Sequence, residues 1–456
     1  MQRGKIVRQA GIALALLLVS VALTHRGVYS GDTVESYFQY KAFLDQSSLY
    51  LDGYESRLFR TWRGEHGHAY SIYGVGYPLL AAAFGKILAA LGIEATLLPI
   101  IVFKLPNTFL FFLSTLLLCR LLADWGASRV NIVLVFIALA FSTQASYHCA
   151  AWSSNSFVAS LLIIAFYYYV RATGDAEARP EVSNRQLAFA GAAIGYAGLS
   201  RSFPFLIAPG FALALLYELV RVRRHAPLSP VVVKAQLALG IPVVVAFAAL
   251  VGIDFLKTGV LESTYASGGF STPFYVGFLG NLLWPGKSVL FFAPITVLGA
   301  FALHCLYRRS RSLFFLVLYI VAVYVIGYSK WAIWWSGPSI ANRYWLPALP
   351  FLIFPLALTR NRWIVGAAVL LVAFGTYTQV RMHYRNPRPI YRAIYREFPR
   401  SEDAKTVQRI IHSDLWRVVK VTFVDRAFFE HIDARRGPRY RTRRPAKWGY
   451  NVDDPD

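Results

Sequence analysis

Tyr77-Pro78-Leu79-Leu80-Ala81-Ala82-Ala83-Phe84-Gly85-Lys86-Ile87-Leu88-Ala89-Ala90-Leu91 is the run that sets how the rest of the chain threads a bilayer. It is apolar but short of the roughly 20 residues that a crossing helix needs, it opens on Tyr-Pro, and it has Lys86 in its middle. Leu80, Phe84, Ile87, Leu88 and Leu91 recur at helical spacing, whereas Ala81, Ala82, Gly85, Lys86, Ala89 and Ala90 fill the remainder. That pattern predicts a helix lying in the membrane interface. Positive charge offers an independent test, because cytoplasmic loops are enriched in Lys and Arg. If residues 77 to 91 do not span, the basic groups fall on one side: Arg3, Lys5 and Arg8; Arg120 and Arg129; Arg171, Arg179 and Arg185; Arg221, Arg223 and Arg224; Arg308, Arg309 and Arg311; Arg360 and Arg362. Counting the run as a span scatters them over both faces.

The composition around this run belongs to a polytopic membrane protein. Of 456 residues, 56% are hydrophobic, 16% aromatic and only 16% charged, and the mean hydropathy is +0.44. The expected fold class is all-α, with spans at 9 to 25, 97 to 119, 130 to 147, 154 to 170, 186 to 200, 203 to 220, 231 to 253, 287 to 306, 313 to 329, 344 to 359 and 363 to 380, or about eleven transmembrane helices. The first run follows Arg3, Lys5 and Arg8 with no small-residue cleavage site behind it, which makes it a retained signal anchor. Cys119, Cys149 and Cys305 lie far apart in or beside apolar runs, without metal-ligand spacing, and are expected to be buried thiols. The excess of 47 Lys and Arg over 24 Asp and Glu marks topology more than a nucleic-acid partner.

This topology puts residues 26 to 96, 148 to 153, 254 to 286 and 330 to 343 outside. Residues 1–380 form the membrane domain, and 381–456 a basic tail or small domain that the same topology exports. In the tail, charge alternates with aromatic residues, as in Tyr391-Arg392-Ala393-Ile394-Tyr395-Arg396, a pattern suited to packing on the membrane surface. No glycine-rich phosphate loop, His-Glu-x-x-His pair or cysteine cluster occurs, so energy-coupled transport and zinc chemistry lack support and no cofactor is identified. The middles of the spans are almost free of ionisable groups, unlike those of an ion-coupled transporter.

Polar groups gather instead at the outer ends. Asp32 and Glu35 stand in Gly31-Asp32-Thr33-Val34-Glu35-Ser36-Tyr37, and Tyr70-Ser71-Ile72-Tyr73-Gly74-Val75-Gly76 follows in the same loop. Arg201 lies between two spans, and Trp284-Pro285-Gly286-Lys287 and Lys330-Trp331-Ala332-Ile333-Trp334-Trp335-Ser336-Gly337 precede two others, with Asn342-Arg343-Tyr344 further on. Carboxylates opposite several cations describe a site for an anionic substrate.

These residues carry a resemblance. Gly31-Asp32 through Phe43, then Leu49-Tyr50-Leu51-Asp52, then Tyr70-Ser71 to Pro78-Leu79-Leu80, are similar to the first external loop of GT-C-fold glycosyltransferases, the membrane enzymes that use polyprenyl-phosphate sugars and include protein O-mannosyltransferases and aminoarabinose transferases. Trp284-Pro285-Gly286-Lys287-Ser288 leading to Phe291-Phe292-Ala293-Pro294, and Trp334-Trp335-Ser336-Gly337 with Asn342-Arg343-Tyr344-Trp345-Leu346-Pro347, resemble loop-to-helix junctions of bacterial members. The resemblance covers residues 1 to about 380 in order. It implies interfacial helices in the first external loop, a polyprenyl-phosphate sugar as donor, a hydroxyl acceptor, and an active site on the periplasmic or extracellular face of a multi-pass membrane protein. A lipid or cell-envelope glycan is the preferred acceptor because no binding domain for protein acceptors is recognisable.

The resemblance assigns the base, and the chemistry of a lipid-phosphate leaving group points to the other roles. The family's catalytic acid lies just beyond the first span, which makes Asp32 the candidate base that takes the acceptor's proton during an inverting, in-line attack. Arg201 and Arg343, then Lys330 and Lys287, are candidates for the donor phosphate, since a guanidinium fork grips two oxygens. Glu35 is a helper to Asp32 or part of a solvated helix face. Tyr73, Tyr77, Trp334 and Trp335 are candidate substrate contacts, although tryptophans here are equally at home in an aromatic belt. Asp32 also suits an N-cap before Thr33. His66 and His68 with Asp32 make one metal reading, and plain polar surface makes the other. A carrier or flippase for lipid-linked sugars would use the same basic groove without a base. A ligase moving a preassembled glycan from a lipid diphosphate is a further alternative.

Overall fold

Helix follows helix in the computed structural model, which describes residues 15, 31–54, 62–64, 66–92, 99–150, 152–174, 182–259, 269–283, 287–331, 334 and 341–383. Six helices are long and apolar enough to cross a membrane: Val102–Asp124, Ser154–Thr173, Phe203–Val222, Pro230–Thr258, Arg311–Lys330 and Arg362–Val380. Each coincides with an expected span, because a continuous apolar run must satisfy its backbone internally and helix does so. The bent pair Arg129–Phe141 and Gln144–Ala150, meeting at 49°, occupies the expected 130 to 147 span. At its break, the Ser142 hydroxyl donates to the carbonyl of Val372, and the Thr143 hydroxyl accepts the N–H of Ala145. The anchor at 9 to 25 and the tail beyond His383 lie outside the described residues, apart from position 15 in the anchor.

Three expected spans take a different form. The 186 to 200 run is the helix Asn184–Ser200, only 17 residues long, which ends at Arg201. The run at 287 to 306 is broken at Ala293-Pro294 into Val289–Phe292 and Ile295–Arg309. Residues 344 to 359 form a tight turn Arg343–Ala348, a short helix Leu349–Ile353 and a second tight turn Phe354–Leu358, all inside the bundle. Pro347, Pro350 and Pro355 explain the interruptions, since each lacks an N–H and crowds the preceding turn. The expected outer segment 254 to 286 holds a further apolar helix, Phe274–Leu283, beyond the end of Pro230–Thr258.

The run at 77 to 91 is the helix Gly76–Ala90. Its 15 residues reach about 22 Å, short of a hydrocarbon core of about 30 Å. The small residues face inward: Ala81, Ala82 and Gly85 are buried towards the helix Gly31–Lys41 and its continuation, while Leu79, Leu80 and Ile87 are exposed. Of the expected large-residue stripe, Leu80, Ile87 and Leu91 are exposed while Phe84 and Leu88 pack partly on the core, and the small residues form the packing face.

At the centre, Asn184–Ser200 is sandwiched between Ser154–Thr173 and Pro230–Thr258. Gly191 and Gly195 allow this: a Cβ at residue 191 would fall 2.1 Å from the Leu239 carbonyl oxygen, and one at 195 would fall 2.9 Å from that of Pro242. Of the three cysteines, all unpaired as thiols, Cys119 and Cys149 are buried and Cys305 is half-buried.

The helices also give the bundle two chemically distinct ends. Arg311–Lys330 runs about 30 Å from Arg311 to Lys330. Asp124, Arg171, Glu218 and Arg309 share the Arg311 end, while Ser154, Arg201, Lys257 and Lys287 share the other. The loop before Gly76 closes over the second end, its Gly74 pressed on the last turn of Asn184–Ser200. A Cβ at 74 would lie 2.4 Å from the Leu199 carbonyl oxygen and 2.6 Å from that of Ser200. Gly74→Ala is therefore expected to lower the unfolding midpoint and displace this loop, seen as faster proteolysis within residues 66–76. An unchanged midpoint and cleavage pattern would contradict the packing described.

Candidate active site

The Gly31–Lys41 helix delivers its residues into the interior: Thr33, Glu35, Ser36, Tyr37 and Gln39 are all buried. Thr33 ties the first turn to the bundle by donating its hydroxyl to the carbonyl of Trp152 at 2.9 Å. Glu35 accepts a hydrogen bond from the Ser71 hydroxyl at 3.3 Å. Ser71 also receives the Tyr73 N–H on that hydroxyl, at 3.1 Å, which fixes the loop locally. Asp32 is the second residue of this helix, one helical turn from Glu35, so their positions share a face. Its side chain lies outside the described residues.

Lys257, at the last turn of Pro230–Thr258, completes this part of the site. Its ammonium is buried and donates to the carbonyls of Ser71 at 3.3 Å and Tyr73 at 3.4 Å, with Asp254 and Glu35 as the carboxylates acting on it. A charge taken out of water needs such compensation. The Tyr73 ring faces Arg201, whose guanidinium carbon sits 5.6 Å from the ring centroid. Arg201 is itself buried and donates through Nε to the Ser154 hydroxyl at 2.5 Å.

A stack of tyrosines leads from Arg201 to the second cationic cluster. Arg201 acts electrostatically on Tyr324, Tyr324 lies 5.9 Å from Tyr328, and Tyr328 stacks on Tyr344 at 4.5 Å with only 8° between the planes. Phe203 covers Tyr328 from the other side at 4.3 Å. Arg343, buried, lies over Tyr344 at 5.7 Å, and the buried Lys287 feels its positive charge. Asn342 fixes this corner: it donates to the side chain of Asn281 and to the carbonyl of Trp334 at 3.1 Å, and accepts the N–H of Tyr344 at 2.8 Å. Gln144 secures its carbonyl at 2.6 Å.

The structure thus brings together Glu35, Tyr73 and Arg201 on one side, and Lys287, Arg343 and Trp334 on the other. Two candidates sit differently. Lys330 is exposed at the end of its helix, where its carbonyl accepts the Thr272 N–H at 3.1 Å. Tyr77 is wholly buried in an aromatic cluster, stacked on Trp152 at 4.6 Å, with its hydroxyl spent on the Phe103 carbonyl. That placement makes Tyr77 a packing residue. It couples the Gly76–Ala90 helix to Trp152 rather than facing open space. Trp335 lies outside the described residues, as does Trp284.

Lys257, Ser154, Tyr324 and Tyr328 are site residues that the sequence did not single out, and Ser71, Asn342 and Tyr344, which stand in the outer segments, take on defined roles. Two buried groups beside Arg201, the Asn155 amide nitrogen and the Tyr324 hydroxyl, have no hydrogen-bond partner among the described residues. Unpaired buried donors cost about 1–3 kcal/mol each, so each of these groups calls for a partner such as an ordered water or a ligand.

The outer part of the first loop is braced by Asp52. Its carboxylate accepts the Ala69 N–H at 2.8 Å and meets His68 Nδ1 at 2.6 Å, and His68 stacks on Tyr50 at 4.4 Å. Strands Trp62–Arg63 and Ala69–Tyr70 pair antiparallel beside it. Among the described residues, no three His, Cys, Asp or Glu side chains cluster to hold a metal. The Ala69 hydrogen bond, with help from His68, holds the Asp52 carboxyl below the usual range. Its contribution to stability is therefore present above the ordinary carboxylate pKa and lost as pH falls through the lowered one. Acidification should lower the protection factor of the Ala69 amide in the wild type, and Asp52→Asn should remove that step. A step of equal size in the variant would assign it to another group.

The sequence model of the Alg9-like mannosyltransferase family matches residues 13–257. Among solved structures, ArnT from Cupriavidus metallidurans bound to undecaprenyl phosphate aligns over 96% of this chain and 73% of its own, at 12% identity and a TM-score of 0.51. The Archaeoglobus fulgidus oligosaccharyltransferase tethered with an acceptor peptide aligns over 89% of this chain and 59% of its own, at 15% identity and a TM-score of 0.47. Among curated proteins none matches.

Proposed function

The chain belongs to the Alg9-like mannosyltransferase family of membrane glycosyltransferases, and from that premise we propose that it moves a mannosyl group from a polyprenyl-phosphate donor to a hydroxyl acceptor. The reaction is assigned to the Glu35–Arg201–Arg343 end of the bundle, facing the outside of the cell. The observation that carries this reading is the pair of buried arginines, Arg201 and Arg343, joined by stacked tyrosines at the end where the Gly31–Lys41 helix enters. ArnT, whose fold the chain shares, has undecaprenyl phosphate bound, which supports a lipid phosphate as leaving group.

The chemistry follows from these groups. The acceptor hydroxyl attacks the anomeric carbon, and the bond from that carbon to the phosphate oxygen breaks, its electrons passing to the phosphate. The hydroxyl proton passes to Asp32. Attack opposite the leaving group inverts the anomeric centre. Charge grows on the phosphate as the bond breaks, so Arg201 and Arg343, with Lys287 behind, stabilise the transition state more than the bound donor. Glu35, held by Ser71 and near Lys257, positions the loop that carries Tyr73 under Arg201. The acceptor is a lipid or cell-envelope glycan in this reading.

Proteoliposomes loaded with polyprenyl-phosphate mannose and a panel of lipid and glycan hydroxyl acceptors test the proposal. Mannosylated acceptor together with free polyprenyl phosphate is expected. Movement of the donor across the bilayer without any product would favour the carrier reading instead.

A further inference from the structure

At the opposite end of the bundle lies a cleft of about 2010 Å³, bordered by Arg308, Arg309, Arg311, Arg360 and Arg362. Positive charge at one end of a membrane bundle follows from topology alone and requires no cleft. The internal pairing of this cleft says more. Its two carboxylates are already engaged: Asp124 pairs with Arg171 at 3.1 Å, while Glu218 accepts the Ser312 hydroxyl at 3.0 Å and faces Arg223 at 4.0 Å. Of the six arginines that line the cleft, only Arg171 has a carboxylate partner among the described residues; Arg308, Arg309, Arg311, Arg360 and Arg362 have none.

Three of these guanidiniums lie over aromatic rings. Arg309 lies over Trp125 at 5.2 Å, Arg311 over Tyr307 at 5.4 Å, and Arg362 over Trp363 at 5.5 Å. A stacked guanidinium keeps its hydrogen-bonding edge free for phosphate oxygens. The cleft also has apolar lining that water would not favour: Phe301 is 71% exposed and Val130 is 65% exposed. Cations at the ends of the helices, with exposed apolar side chains directly beside them, match an amphiphile whose phosphate sits at the headgroup level and whose chains run along the bundle. A small soluble anion would leave the apolar lining unused.

We propose that this arginine-bordered cleft binds the phosphate headgroup of an anionic glycerophospholipid, at a site about one membrane thickness from the Arg201–Arg343 group. The site does not depend on the transferase reading, because none of its groups belongs to that reaction. Basic pockets between transmembrane helices bind anionic headgroups in this way.

The test uses the full chain, purified in neutral detergent, with bound lipid counted by native mass spectrometry. Dioleoyl-phosphatidylglycerol, dioleoyl-phosphatidylcholine and inorganic phosphate are titrated separately. Saturable binding of phosphatidylglycerol is expected, with neither of the other two competing for it. The double substitution Arg308→Gln with Arg311→Gln, both exposed side chains, should weaken phosphatidylglycerol binding about 30-fold. Lys86→Gln, an exposed basic residue outside the cleft, should leave it unchanged. Equal unfolding midpoints of variant and wild type without added lipid show that the fold is kept. Equal affinity in the double variant, or competition by inorganic phosphate at matched concentration, would overturn the proposal.

Discussion

Asp32→Asn should give a folded protein whose sugar transfer is about 1000-fold slower, within the 10²–10⁴ range that a positioned general base contributes. The substitution separates two roles that local sequence alone does not. Asn stabilises a helix start nearly as well as Asp, so a structural role predicts little change. Asp32 lies on the Gly31–Lys41 helix, and an acid near a helix start contributes only about 0.3–1 kcal/mol through the helix dipole. Losing that term leaves the fold standing. Removing the proton acceptor stops the hydroxyl from becoming a nucleophile. Donor affinity should be preserved, so kcat falls while the KM for the lipid donor stays within about threefold, the signature of an interaction made in the transition state.

Arg343→Gln is expected to cost about 10²–10³ in kcat, the usual cost of removing one preorganised group aimed at developing charge. Arg343 is buried over Tyr344 with Lys287 beside it, in a corner that Asn342 fixes through three hydrogen bonds. Such a cation needs no reorganisation when the phosphate gains charge. Arg343→Lys should recover only part of the loss, because an ammonium lacks the planar fork and the ring stacking. Lys330→Gln, at the exposed helix end, should change kcat by less than about threefold. Initial rates at saturating donor, for these three variants alongside wild type, distinguish a phosphate-binding corner from a purely structural one. Equal losses at positions 330 and 343 would favour a general effect of charge.

Much of the fold was legible because lipid imposes simple rules. Apolar runs of sufficient length had to be helices, and arginine placement at their ends kept Tyr77–Leu91 out of the count of spans. What the sequence obscured was continuity. Pro347, Pro350 and Pro355 sit in a run that is apolar throughout, and hydropathy does not register a missing N–H. Phe274–Leu283 escaped because its ten residues are too few to register as a span, although they are strongly apolar; Gly277, Gly280 and Asn281 are the residues it buries.

The site was legible where a charge had no topological reason to be present. Arg201 and Arg343 stand out in this way, and the structure buries both. Lys257 was hidden because a lysine ending a long apolar helix reads as an interfacial anchor, and only the fold turns it inward onto Ser71 and Tyr73. Tyr77 misled in the reverse direction. An aromatic residue in an outer loop reads as a substrate contact, but its position at the start of the packed Gly76–Ala90 helix sends it towards Trp152 and Phe103.

The central claim is that a lipid phosphate leaves as the sugar is transferred, and a donor comparison in sealed proteoliposomes tests it most directly. Polyprenyl-phosphate mannose, polyprenyl-diphosphate mannose and nucleotide-activated mannose are each offered with the same acceptor. The account predicts product from the monophosphate lipid alone, with one polyprenyl phosphate released per mannose transferred. Product from the nucleotide sugar or from the diphosphate lipid, with none from the monophosphate, would contradict it.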